Sequence, residues 1–238
     1  MNINNLFDEY ALKARLYPAL IALLPLFITF FFLFPILTDR IHKALPILIG
    51  CGVLYLFTHI VRFMGRSKER YLFSKWGGMP SNIMLRHNDN TLDINTKTRY
   101  RDKLTKLTNV GLPSKLEEEI DLSVADDAYG SAGTWLRENT RDKSKYTLLF
   151  KENVSYGFRR NTYGIKYLGV AISLVSIGIC IAIGIFKYEN TNILISVASA
   201  ALFAFIFLLF WILLANEKWV RDAAYSYANQ LLSSLDNL

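Results

Sequence analysis

Residues 167–186 read YLGVAISLVSIGICIAIGIF, a run without a single charged side chain. A helix of about 20 apolar residues covers the roughly 30 Å of a bilayer's hydrocarbon core, so this run predicts a membrane span. Three further runs share its character. Residues 16–37 and 193–215 carry no charge, and residues 45–61 hold only His59 as a group that titrates near neutrality. Core helices of a globular protein would interrupt such runs with polar positions every few residues. The whole chain is 52% apolar and 14% aromatic, with a mean hydropathy of +0.23, which exceeds ordinary soluble usage. The expected fold is an all-α integral membrane protein with four transmembrane helices arranged as two hairpins, residues 16–64 and 162–216. A cytosolic helical domain, 65–161, lies between them, with amphipathic helices at 1–15 and 217–238.

The first run follows Lys13 and Arg15, as the core of a secretory signal would. It is too long for that role, and no small-x-small site follows Pro35-Ile-Leu-Thr38, so it reads as a retained helix. Orientation follows from the basic residues. Of 27 Lys and Arg, 20 fall between Arg62 and Lys166, two lie in the connection 39–44, and none lies in 188–192. Positive charge stays on the cytoplasmic side, which places the insert and both termini in the cytoplasm of a bacterial inner membrane. Cys51 and Cys180 each sit inside an apolar run and read as small hydrophobes of helix packing. Three scattered histidines and no paired cysteines give no zinc pattern, and no cofactor is expected.

In chain order, Ile3, Leu6, Phe7, Tyr10 and Ala14 form the apolar side of an N-terminal helix. Pro25 removes a mid-span hydrogen bond and predicts a bend. Gly50-Cys51-Gly52 offers a place for a close backbone approach. His59 reads as a solvated residue near the boundary. The helix after Arg66 should run through Trp76 and stop at Gly77-Gly78-Met79-Pro80.

Asp93 or Asn95 caps a helix to Leu107, whose apolar face is Tyr100, Leu104 and Leu107. Lys97, Arg99, Arg101, Lys103 and Lys106 surround that face. They read either as a site for an anionic partner, such as lipid headgroups, a nucleotide or nucleic acid, or as a solvated face. Ser114 and Glu117 form a capping box, and Ser123 with Asp126 offers a second cap. Val124, Ala128, Ala132 and Trp135 then recur at helical spacing. Tyr146, Leu149, Phe150 and Val154 mark one more amphipathic helix, running on toward the third span.

Small residues line the last two spans. Gly169, Ser173, Ser176, Cys180 and Gly184 share one stripe, and Ser196, Ala200 and Ala204 another. Such stripes let membrane helices approach closely, as a pair within the chain or as the contact of a homo-oligomer. Trp211 and Trp219 suit an interfacial belt. Val220, Ala224, Tyr227, Leu231, Leu235 and Leu238 hold helical register to the end of the sequence, facing the insert or a sister subunit.

No nucleophile elbow, nucleotide-binding glycine motif or other catalytic spacing is found, and the spans hold no mid-membrane charge of the transporter kind. Asp126-Asp-Ala-Tyr through Trp135-Leu-Arg, followed by Tyr156-Gly-Phe-Arg-Arg-Asn161, resembles a group of uncharacterised bacterial inner-membrane proteins. The resemblance covers mainly the second half of the insert and brings no activity. In outline the chain also looks like small membrane effectors of bacterial antiviral defence, which join a few spans to a cytosolic sensing part. These features lead to the expectation of a non-enzymatic inner-membrane protein that couples a cytosolic sensing domain to a membrane response. The alternative is a membrane anchor that recruits a cytosolic partner protein.

Overall fold

Asp8 opens the first helix by accepting the Ala11 N–H at 2.7 Å. In the computed structural model of the chain, this helix, α1 (Glu9–Leu33), runs unbroken into the first apolar run. Residues 8–33, 52–187 and 189–238 are described, and all regular structure among them is helical. Ile3, Leu6, Phe7, residues 34–37 of the first run, the connection 39–44 and residues 45–51 lie outside the described residues. The chain divides into two units. One gathers the described residues of Met1–Glu69 with Gly157–Val220, the other Arg70–Tyr156 with Arg221–Leu238.

In the first unit, α1 passes through a π-helical turn, Leu12–Leu16, immediately before Pro18. Pro18 has no N–H, so the Ala14 carbonyl four residues earlier loses its ordinary α-helical donor. Pro25, where a bend is expected, sits buried inside the continuous helix Tyr17–Leu33. Helix α2 (Val53–Trp76) holds the described end of the second apolar run. Of the three residues Gly50-Cys51-Gly52, only Gly52 is described, at φ 74°, and the expected close approach lies mainly outside the described residues. His59 is exposed, its ring edge-on to Tyr55 at 4.5 Å. After α7 (Thr147–Gly164) come α8 (Lys166–Phe186) and α9 (Thr191–Leu214), whose last turn, Phe210–Leu214, is again π-helical.

Helices α1, α8 and α9 are each long and apolar enough to cross a membrane. Their packing is inverted relative to a soluble protein. Thr29, Ser173 and Ser176 are buried, while Phe31, Phe186 and Leu202 are exposed. Polar and small residues inside with large apolar residues outside is the arrangement a hydrocarbon solvent selects.

The second unit is a helical bundle around Met84, Leu85, Tyr100, Leu104, Tyr129 and Leu136. Helix α2 ends where Gly77 and Gly78 take positive φ, 83° and 147°, and Pro80 starts α3 (Pro80–Leu85). Asp93 caps α4 (Ile94–Thr108), and Asn109 ends it at φ 54°. The expected capping box opens α5 (Lys115–Ile120): Glu117 N–H donates to Ser114 Oγ at 3.3 Å, and Ser114 N–H to Glu117 Oε2 at 2.7 Å. The second cap is Asp121 rather than Ser123. Asp121 ends α5 in an extended conformation, so its carboxylate is already placed to accept Ser123 and Val124 N–H at the head of α6 (Leu122–Asn139). Tyr156, on α7, stacks on Tyr227 of α10 (Glu217–Ser233) with ring planes 6° from parallel. Leu231, Leu232 and Leu235 complete the core, so the end of the chain belongs to this unit.

Candidate functional site

Gly157, Asn161 and Gly164 recur at steps of four and three, which places them on one face of α7. Each lies close against a neighbour. A Cβ at Gly157 would lie 2.5 Å from Tyr10 Oη, and one at Gly164 would lie 2.7 Å from the Gly65 Cα. The backbones of α2 and α7 therefore cross almost in contact. Between these points the fully buried Asn161 donates its amide to the Ala14 carbonyl at 2.6 Å, the carbonyl that Pro18 leaves without its usual donor. Asn161 Oδ1 accepts from Arg160 Nε and Nη2, both at 3.2 Å, and Arg160 Nη1 holds Glu69 at 2.8 Å. Arg159 donates to the Trp219 carbonyl at 3.1 Å, its guanidinium 5.4 Å from that ring's centre. One turn of α7 thus gathers α1, α2 and the chain after α9. A buried amide stripped of such partners costs about 1–3 kcal/mol.

Arg15, one residue past Ala14, is treated differently. Its Nε is buried and has no hydrogen-bond partner among the described residues, and its guanidinium lies 5.4 Å from the Tyr10 ring centre. The charged groups acting on it are Arg62, Asp8 and Arg160.

A second polar network lies inside the other unit. Tyr129, fully buried, donates to Glu118 Oε2 at 2.7 Å and accepts from Arg101 Nη1 at 2.7 Å. Arg101 also reaches the Leu85 and Pro113 carbonyls. Glu118 accepts the His87 N–H on both oxygens at 3.1 Å, and His87 Nε2 lies 3.2 Å from the Pro113 carbonyl. Burial pushes the Tyr129 phenol up to about 12, with the Glu118 bond acting in the same direction and Arg101 against it. Arg86 grips Asp126 with Nε at 3.0 Å and Nη2 at 2.5 Å. Among the described residues, no buried side-chain nitrogen or oxygen of this network lacks a partner, which makes it a framework for the loops around α3–α5.

The five cations proposed for an anionic partner separate accordingly. Lys97 is buried and donates to the Arg86 and Asp89 carbonyls; burial lowers its pKa. Arg101 belongs to the internal network, and Arg99 pairs with Asp236 at 3.2 Å. Lys103 and Lys106 remain on an open face with Asn95, Thr98 and Asp102, and have no ion pair among the described residues.

Gly169, Ser173, Ser176 and Cys180 are buried on α8, as are Ala200 and Ala204 on α9; Gly184 and Ser196 are partly buried. Gly169 is the seat of Trp211, since a Cβ there would lie 2.1 Å from the indole. Trp211 is therefore a core residue rather than part of a belt, and its Nε1 has no hydrogen-bond partner among the described residues. Gly184 faces Val197 of α9. Ser173 and Ser176 donate to the Gly169 and Ile172 carbonyls of their own helix, both at 2.9 Å.

The contacts of Asn161 and its flanking glycines escape the sequence reading, although their four-and-three spacing is the same signal that marks the stripe of α8. The pairing of Asn161 with Ala14 is set by Pro18, 143 positions away in the sequence. Comparison with protein-family models, curated proteins and solved structures finds no match for this chain.

Proposed function

We propose that the chain is a non-enzymatic bacterial inner-membrane protein of four crossings, with the Arg70–Tyr156 unit in the cytoplasm governing a response of the spans. One observation carries the layout. Ala14 and Gly65 meet the same stretch of α7, Ala14 through Asn161 and Gly65 through Gly164. A chain that enters an apolar run after Ala14 and has returned by Gly65 needs two crossings, and residues 16–64 contain two apolar runs. Arg159 bonded to the Trp219 carbonyl supports the same out-and-back path for residues 166–214. The concentration of Lys and Arg between Arg62 and Lys166 supports the cytoplasmic assignment.

The concrete form taken into experiment is a defence effector that perturbs the membrane, which rests on likeness of architecture. Because the small-residue stripes are filled within one chain, a homo-oligomer would assemble through the exposed apolar faces of α1, α8 and α9. Cells expressing the full chain, loaded with a voltage-sensitive dye and challenged with phage, should depolarise before growth stops. A potential unchanged throughout, with the protein present in the membrane, would contradict this form.

Recruitment of a cytosolic partner is the second reading, favoured by exposed Leu116, Ile120 and Val124 on α5 and the start of α6. It predicts that Leu116→Glu with Ile120→Glu releases a protein that co-purifies with the full chain.

A further inference from the structure

Leu116, Ile120 and Val124, on α5 and the first turn of α6, are 72%, 84% and 66% exposed. The exposed Glu117, Glu119, Asp121 and Asp127 flank them against one exposed cation, Lys115, on a chain whose net charge is +7. The opposite charge follows the other end of α6. Lys143, Lys145 and Lys151 are exposed and have no ion pair among the described residues. The Tyr146 N–H, bonded to the Asp142 carbonyl at 2.9 Å, makes 142–146 a helical turn leading into α7. Lys145, Leu148 and Lys151 then recur at steps of three, which puts a 55% exposed leucine between two cations on one face. Carboxylates nearby are engaged locally: Asp142 accepts the Ser144 and Lys145 N–H groups at 2.8 and 3.3 Å, and Glu138 pairs with Arg141 at 2.5 Å. Lys143 is braced over the Phe150 ring at 4.6 Å.

Helix α6 has 18 residues and is about 27 Å long, so the two surfaces stand near its opposite ends. Negative charge at the start and positive charge at the end suit the dipole of α6, but a dipole gives no reason to hold leucine, isoleucine and valine in water. A bilayer is a poor cover for the first surface, because its carboxylates would meet anionic headgroups. What it lacks is a basic surface with an apolar centre, and the chain itself carries one. We propose that copies of this chain join head to tail, the acidic Leu116–Val124 surface of one seated on the basic Lys143–Lys151 surface of the next. Such a contact is heterologous, so each added copy leaves an end open and the assembly grows into a ring or a row. It lies outside α1, α8 and α9, and it gives to a sister copy the surface that the second functional reading gives to a cytosolic protein. Its failure would leave the crossing number and the depolarisation test untouched, because both are read by other measurements.

The test cross-links the full chain in native membranes with a short, membrane-permeant bismaleimide, in a background carrying Cys51→Ser and Cys180→Ala. Ser123→Cys and Ser144→Cys put one thiol on each surface at exposed, uncharged positions, too far apart along α6 for a bridge within one copy. The double variant should give a ladder of dimers and higher species, and each single variant only monomer. Lys143→Glu with Lys145→Glu should reduce the ladder about tenfold, and adding Glu119→Lys with Asp127→Lys should restore it, since the swapped charges again attract. A ladder absent from the double variant, or undiminished by the charge reversal, would overturn the proposal. So would either single variant linking to itself, which means that like surfaces meet, or a Ser123→Cys adduct with a different protein in place of the ladder, which assigns the surface to a cytosolic partner.

Discussion

A single methyl group at Gly164 would stand 2.7 Å from the Gly65 Cα, whereas one at Gly178 would meet none of the described residues within 4 Å. Gly164→Ala should therefore destabilise the detergent-solubilised protein by about 1–3 kcal/mol, because backbone cannot move aside as a side chain can. Gly178→Ala should be neutral or slightly stabilising, since alanine is the better helix former. Thermal unfolding of the two variants checks the contrast. Tyr129 gives a pH signature. Its phenol is raised from 10 to about 12, so the folded protein holds that proton more tightly than the unfolded chain does. The resulting stabilisation is fully present below pH 10 and is lost as pH rises through about 12. The stability advantage of wild type over Tyr129→Phe should shrink across that window by on the order of 2 kcal/mol. Lys97 acts with the opposite sign. Its lowered pKa makes stability rise as pH approaches 10.5 from below, so only the comparison with the Phe variant isolates Tyr129. The sequence marks both residues as polar or aromatic positions on helices, but it cannot show that Lys97 and Arg101 turn inward. Their backbone acceptors are the carbonyls of Leu85, at the end of α3, and of Arg86, Asp89 and Pro113, brought close only by folding.

Helix ends were the most legible elements because their signals are local. The Ser114–Glu117 box is readable from spacing alone and is present, and the cap that spacing leaves open between Asp93 and Asn95 is Asp93. Ser114→Ala should cost about 1 kcal/mol, measurable by chemical unfolding. The shift of the second cap from Ser123 to Asp121 reflects a rival local solution, since one extended residue can end α5 and begin α6 together. Apolar periodicity also identified an ordered C-terminal helix, although the sequence left its neighbour open between the insert and a sister subunit. The structure buries Leu231 and Leu235 against Leu104, Tyr129 and their neighbours. Replacing either leucine with alanine should cost about 2–5 kcal/mol. Truncation after Gln230 would thus remove part of a core, not a detachable tail. What sequence could not give was the crossing at Gly65, Asn161 and Gly164, which joins three segments distant along the chain.

At the scale of the molecule, the class of helical membrane protein was legible from charge-free runs alone, and α1, α8 and α9 have the length and composition for it. The partition into two units depends on long-range packing that no single run specifies. The layout of two returning hairpins is our proposal, drawn from Ala14, Gly65, Arg159 and Trp219 meeting the same short stretch of α7 or its neighbours. It is tested most directly by labelling single cysteines with a membrane-impermeant maleimide in a background carrying Cys51→Ser and Cys180→Ala. Lys43→Cys and Glu189→Cys, each between the two runs of a hairpin, should label in spheroplasts, while Lys115→Cys should label only after lysis. Position 43 behaving like position 115, with position 189 still labelled from outside, would contradict the first hairpin and with it the four-crossing account.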